Sequence, residues 1–116
     1  MTPPVPADDV RVLSAVKKEF FQRHRKDASR ADAAWHALVA KRDALMANVA
    51  FGPIFDPPRM PKELQGLHPL RVVKGLPHGF RAVYSVFQLP PVGLVVQVEW
   101  IGDHSDYDRA FGYSTS

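Results

Sequence analysis

The spacing of apolar residues changes once along this chain, and the change falls on a stretch too rich in proline to be regular helix or strand. Between Val10 and Val49 the apolar residues recur at three- and four-residue steps, whereas between Leu70 and Ile101 they form short β-branched and aromatic runs read at a period of two. Between these halves lie Pro53, Pro57, Pro58, Pro61 and Pro69. Each fixes φ and removes a backbone donor, so residues 52–69 are predicted as an irregular crossing with at most one helical turn, at "PKEL". A helical half joined to a strand half within 116 residues predicts one α+β domain spanning 1–116.

In the first half, Val10, Leu13, Val16 and Phe20 make one stripe, and Asp8 or Asp9 can cap it, which predicts a helix from about Asp9 to His24. A second stripe, through Ala31, Ala34, Trp35, Leu38, Leu45 and Val49, predicts a helix over about Arg30 to Ala50, ended by Gly52 and Pro53. The short polar joint between them makes an antiparallel helical hairpin, with Phe20 and Trp35 among its buried contacts. The opening "MTPPVPADD" has neither the basic start nor the apolar middle of a secretory leader, so a cytoplasmic location is the expectation, with residues 1–8 a mobile tail.

In the second half, "LRVVKG", "FRAVYSVFQ" and "LVVQVEWIG" read as three strands, separated by the turn formers "LPHG" and "LPPVG". An antiparallel meander packed on the hairpin follows. Alternation sets Phe80, Ala82, Tyr84 and Val86 against Arg81, Val83, Ser85 and Phe87, and in the last strand Leu94, Val96, Val98 and Trp100 against Val95, Gln97, Glu99 and Ile101. The mixed face, with Arg81, Ser85, Gln97 and Glu99, is the one left open to receive an anion.

Charge narrows the chemistry. The net charge of +3 is modest, but from Arg11 to Arg30 there are seven Lys or Arg against Glu19 and Asp27, densest at "RHRK", residues 23–26. That local excess favours an anionic partner and marks Arg23, Arg25 and Lys26 as phosphate contacts. There is no cysteine, which excludes disulfides, thiolate metal sites and cysteine nucleophiles. His24, His36, His68 and His78 show no zinc spacing, the serines have no nucleophile elbow, and no glycine-rich phosphate loop is present, so neither metal nor cofactor is expected.

Four residues carry the chemistry that remains. Arg81 offers a planar fork for phosphate, or pairs with Glu99 on the next strand. Lys74 supplies a second cation at the end of the first meander strand, while alternation puts Arg71 on the other face. His104 exchanges protons at neutral pH, or is a loop histidine bonded to a carbonyl. Tyr107 offers a ring and a hydroxyl, or plugs the core; Arg109 follows two residues on. Together they are the groups that metal-free RNA cleavage requires: a base for the ribose 2′-hydroxyl, cations for the phosphorane charge and an acid for the leaving 5′-oxygen.

The order of these pieces, "MPKELQGLHPL", then "VVKGLPHGFRAVYSV", then "VQVEWIGDHSDYDRAFGY", resembles the RelE/ParE superfamily of toxins from type II toxin-antitoxin systems, closest to its RelE-like and HigB-like members, over roughly residues 10–113. The resemblance implies a ribosome-associated messenger-RNA endonuclease without a cofactor, neutralised by a cognate antitoxin. In it Arg81 matches the arginine on the scissile phosphate, Lys74 a strand lysine, and His104 and Tyr107 the His and Tyr that end the sheet. Arg71 and Arg109 would add RNA contacts. Val72 stands where the family has a second strand lysine, and "GDHSDY" is a shorter, more acidic turn. The other readings on this fold are a non-catalytic binder, such as a topoisomerase poison or an antitoxin-binding regulator, and a small RNA-binding protein without toxicity.

Overall fold

A computed structural model describes residues 3–67 and 69–113, so His68 lies outside the described residues. The chain is α+β, with a four-stranded mixed sheet and helices on it. In chain order the elements are β1 (Asp9–Val12), α1 (Ser14–Arg23), α2 (Ala28–Ala40), α3 (Arg42–Ala47), β2 (Leu70–Val73), β3 (Arg81–Leu89), β4 (Gly93–Gly102) and α4 (His104–Phe111). The sheet runs β1-β4-β3-β2; β2, β3 and β4 form the expected antiparallel meander, and β1 adds to β4 in parallel. None of the described helices is long and apolar enough to cross a membrane.

The first helix starts later than its stripe suggested. Asp9–Val12 is strand, in register with Val95–Val98. Val10 and Val12 pack on the core from the strand, while Leu13 remains exposed. Two valines on either side of Arg11 satisfy both periods, and here pairing with a long apolar neighbour strand decides it. Nor does Asp8 cap a helix: its carboxylate accepts from the Leu94 backbone N–H at 2.7 Å. The segment expected as a mobile tail is held at Val5, Ala7 and Asp8. The Val5 carbonyl accepts from Val49 N–H, Ala7 N–H donates to Met46 and Asp8 N–H to Leu94, and Ala7 is buried. The second predicted helix is broken at Lys41 into α2 and α3 and ends at Ala47. The crossing is irregular, with one short turn at Lys62–Leu64 inside "PKEL".

Two apolar cores flank the sheet. The larger gathers Phe20, Ala31, Ala34, Leu38 and Leu45 of the helices against Val73, Ala82, Tyr84, Val96, Val98 and Ile101. Phe21 meets Trp35 edge-on at 5.9 Å, and Trp35 itself is half-buried. The smaller core lies on the opposite face, where Leu70, Val72, Val83 and Trp100 meet Phe55, Leu64, Tyr107 and Phe111.

A β-bulge explains why strict alternation misassigned the end of β4. Val83 pairs with Trp100 but Tyr84 with Val98, leaving Glu99 as the extra residue. Beyond it the side-chain parity reverses: Ile101 enters the helix-side core and Trp100 the other, the opposite of the expected pairing. The mixed face is therefore covered at this end rather than open.

Candidate active site

The cover is α4, an element the strand-and-turn reading did not contain. Asp103 caps it: its carboxylate accepts from Asp106 N–H at 2.9 Å, and the Asp106 carboxylate accepts in return from Asp103 N–H at 3.1 Å. Gly112, at φ 79°, closes the other end in the left-handed conformation, with its N–H on the Asp108 carbonyl. The helix begins directly under the sheet because Gly102 has no side chain; a Cβ there would lie 2.5 Å from the Trp100 ring. Phe111 is wholly buried between Phe55 and Trp100, ring centroids 4.7 and 4.9 Å away. Such edge-on pairs add about 0.5–1.5 kcal/mol each beyond burial.

Arg81 begins β3 opposite Gly102, and its guanidinium lies 4.4 Å from the Tyr107 ring centroid. The expected pairing with Glu99 is not made. Glu99 accepts instead from Ser85 Oγ at 3.0 Å and from Gln97, whose own oxygen accepts from Arg11 Nε at 2.9 Å, so this polar ladder is self-contained; Ser85 and Gln97 are buried, not open as alternation suggested. Lys74 is exposed and follows Val73, the partner of Ala82; continuing the ladder by one residue sets it across from Arg81.

Tyr107 is a core plug and a platform at once. It is 5% exposed and stacks on Tyr113 with centroids 5.2 Å apart and planes 5° off parallel. Burial, aided by the neighbouring Tyr113 hydroxyl and opposed by Arg81, pushes its hydroxyl up to about 12. It keeps its proton at neutral pH. His104 opens α4 one turn earlier, its side chain 66% exposed, with Nε2 3.1 Å from the buried Asp108 carboxylate. Its Cβ borders Gly79, two residues before Arg81. The loop-histidine reading fails: His104 is the first residue of a capped helix.

The structure thus brings Arg81, Tyr107 and His104 to one end of the sheet and leaves Arg71 out; Lys74 is exposed just past the end of β2. Arg71 donates to the Gly52 carbonyl at 2.8 Å and acts on the buried Tyr84 hydroxyl, on the side away from α4. Burial raises the Tyr84 pKa against the lowering effects of Gly52 N–H and Arg71. In the basic run, Arg25 and Lys26 are exposed, whereas Arg23 is committed to Glu19 at 3.0 Å and to the Ile101 carbonyl. Arg109 is exposed and 3.0 Å from Asp106.

One group that sequence reasoning missed joins these parts. His24 is 7% exposed, wedged against Phe20 and Phe80, with Nε2 2.7 Å from Asp106 Oδ2. Burial works to raise the Asp106 pKa, but the Asp103 N–H, Arg23 and His24 together outweigh it and hold the carboxyl below its usual value. The "RHRK" segment is thereby tied to the first turn of α4. His24, Asp103 and Asp106 offer ligand atoms within 4.8 Å of one another. Their fit to a cation is poor, because both Asp106 oxygens already accept hydrogen bonds and two guanidinium groups supply positive charge. The pattern Asp103-x-x-Asp106 before Gly112 was the sequence signal for this helix.

No family model, curated protein or solved structure matches this chain.

Proposed function

We propose that the protein is a toxin of a type II toxin-antitoxin system, with a RelE/ParE-like arrangement of a helical hairpin on its sheet, and that it is a cytoplasmic, metal-independent, ribosome-associated messenger-RNA endonuclease. One observation carries the reading: the Arg81 guanidinium is laid over the Tyr107 ring, at the end of the sheet where a capped helix exposes His104. The residue order that resembles the family is the second support.

The chemistry follows from what each group can do. His104 takes the proton of a ribose 2′-hydroxyl; the oxygen attacks the adjacent phosphorus, and the bond to the 5′-oxygen breaks. Arg81 and Lys74 offset the charge that develops on the phosphorane, which is the term that contributes most in such reactions. Tyr107 retains its proton at neutral pH, so it is a donor toward the leaving oxygen and not the base. Of the two groups that resemble the family's ending, His104 is therefore assigned as proton acceptor. Arg25 and Lys26, exposed beside the His24 anchor, contact ribosomal or messenger phosphates, and a cognate antitoxin is the neutralising partner.

The test is expression without an antitoxin. Wild type is expected to arrest growth and translation, and His104→Ala and Arg81→Ala to relieve the arrest while unfolding at the same denaturant concentration as wild type. Full toxicity of both folded variants rejects the cleavage mechanism. A DNA-damage response without messenger cuts would favour a topoisomerase poison.

A further inference from the structure

The carboxylate of Asp108 has no part in the chemistry above, yet its side chain is only 7% exposed. A carboxylate so far from water needs a partner, because an uncompensated buried charge costs several kcal/mol. Among the described residues its ion partner is His104, at 3.1 Å from Nε2. The other acid of this turn, Asp106, is committed to the cap, to His24 and to Arg109. The two acids have divided tasks: Asp106 fixes the helix, and Asp108 faces the imidazole.

The spacing makes this geometry rigid. Residues four apart on a helix stand one above the other, and α4 is capped at both ends, so neither Cα moves independently. An imidazole has two nitrogens. Nε2 stands 3.1 Å from the Asp108 carboxylate, which leaves Nδ1 as the nitrogen away from that contact in a side chain that is itself two-thirds exposed.

We infer that Asp108 is a positioning residue: it holds Nε2 of His104 and presents Nδ1 as the nitrogen that meets a substrate proton. The orientation stands on the geometry alone; its consequence for cleavage rests on the nuclease reading.

The two parts are tested separately. Trypsin cutting after Arg81 and Arg109 releases a peptide in which His104 is the sole histidine. Alkylation of the folded protein with bromoacetate, which forms an N–C bond and releases bromide and a proton, marks whichever nitrogen is open. The wild-type peptide is expected to carry the group chiefly on Nδ1, and Asp108→Ala to lose that preference; Asp108→Leu, which has the same branching without the charge, gives the same reading should the alanine variant unfold. Wild-type labelling chiefly on Nε2, or an unchanged ratio in the variants, overturns the orientation. In ribosome-dependent cleavage the folded variant should lose about tenfold to a hundredfold in kcat with little change in KM, as expected for a misaimed group, and Asp108→Glu should recover part of it. Nδ1 selectivity with undiminished kcat in the variant overturns the positioning role. Selectivity in a wild-type protein that cuts no messenger leaves the orientation standing and rejects the nuclease reading instead.

Discussion

Removing the Asp106 carboxylate should loosen the helix that carries His104 and Tyr107, and the size of the effect can be built from its contacts. In Asp106→Ala the Asp103 N–H loses its capping partner, at about 1 kcal/mol. His24 keeps its place against Phe20 and Phe80 but loses the oxygen at 2.7 Å, and a buried polar group left unpaired costs about 1–3 kcal/mol. The expected loss is about 2–4 kcal/mol, read by urea unfolding at pH 7 through the fluorescence of Trp35 and Trp100, with the slope unchanged. The pH dependence has a fixed sign. Because the folded-state pKa lies below the usual 3.8, the unfolded chain binds more protons in that interval. The carboxylate's contribution is therefore present above the unfolded value and is lost as pH falls through the folded one, and the variant's acid limb should be flatter. A double-mutant cycle with His24→Ala should give a coupling of about 0.5–3 kcal/mol. A loss under about 0.5 kcal/mol, or a coupling near zero, would show that Asp106 does not anchor α4.

Two further outcomes follow from the same region. Tyr107 should ionise only toward about 12, and because the unfolded chain gives up that proton near 10, stability should fall as pH rises between these values; ultraviolet titration and alkaline unfolding of Tyr107→Phe check both, and a normal titration contradicts the burial argument. Gly102→Ala places a Cβ against the Trp100 ring, so overpacking should cost about 1–3 kcal/mol and alter the near-ultraviolet circular dichroism; an unperturbed spectrum would refute the close approach.

How far the fold and the site are legible in the sequence depends on how local each signal is. Turn formers and β-branched runs located β2, β3 and β4, because those patterns act over a few residues. β1 was not legible: "DVRV" satisfies a helical stripe and a strand equally, and only the parallel pairing with Val95–Val98, more than eighty residues away, decides it. The faces of β4 were read correctly as far as Val98 and then inverted, since nothing in "QVEWIG" announces a bulge at Glu99. Arg81, Tyr107 and His104 were chosen for their chemistry, and the fold gathers them at one end. The roles of Asp106 and Asp108 were invisible because acids in a presumed turn look solvated. Their helix, capped by Asp103 and ended by Gly112, is what buries them.

The chemistry of the cut ends reports which oxygen attacks the phosphorus. Purified protein added to ribosomes programmed with a defined messenger should produce fragments that begin with a 5′-hydroxyl and end in a 2′,3′-cyclic phosphate or its hydrolysis product, the signature of attack by the neighbouring 2′-oxygen, and His104→Ala should abolish them. Intact messenger, fragments that begin with a 5′-phosphate, or equal cutting by the folded His104→Ala variant would contradict the account.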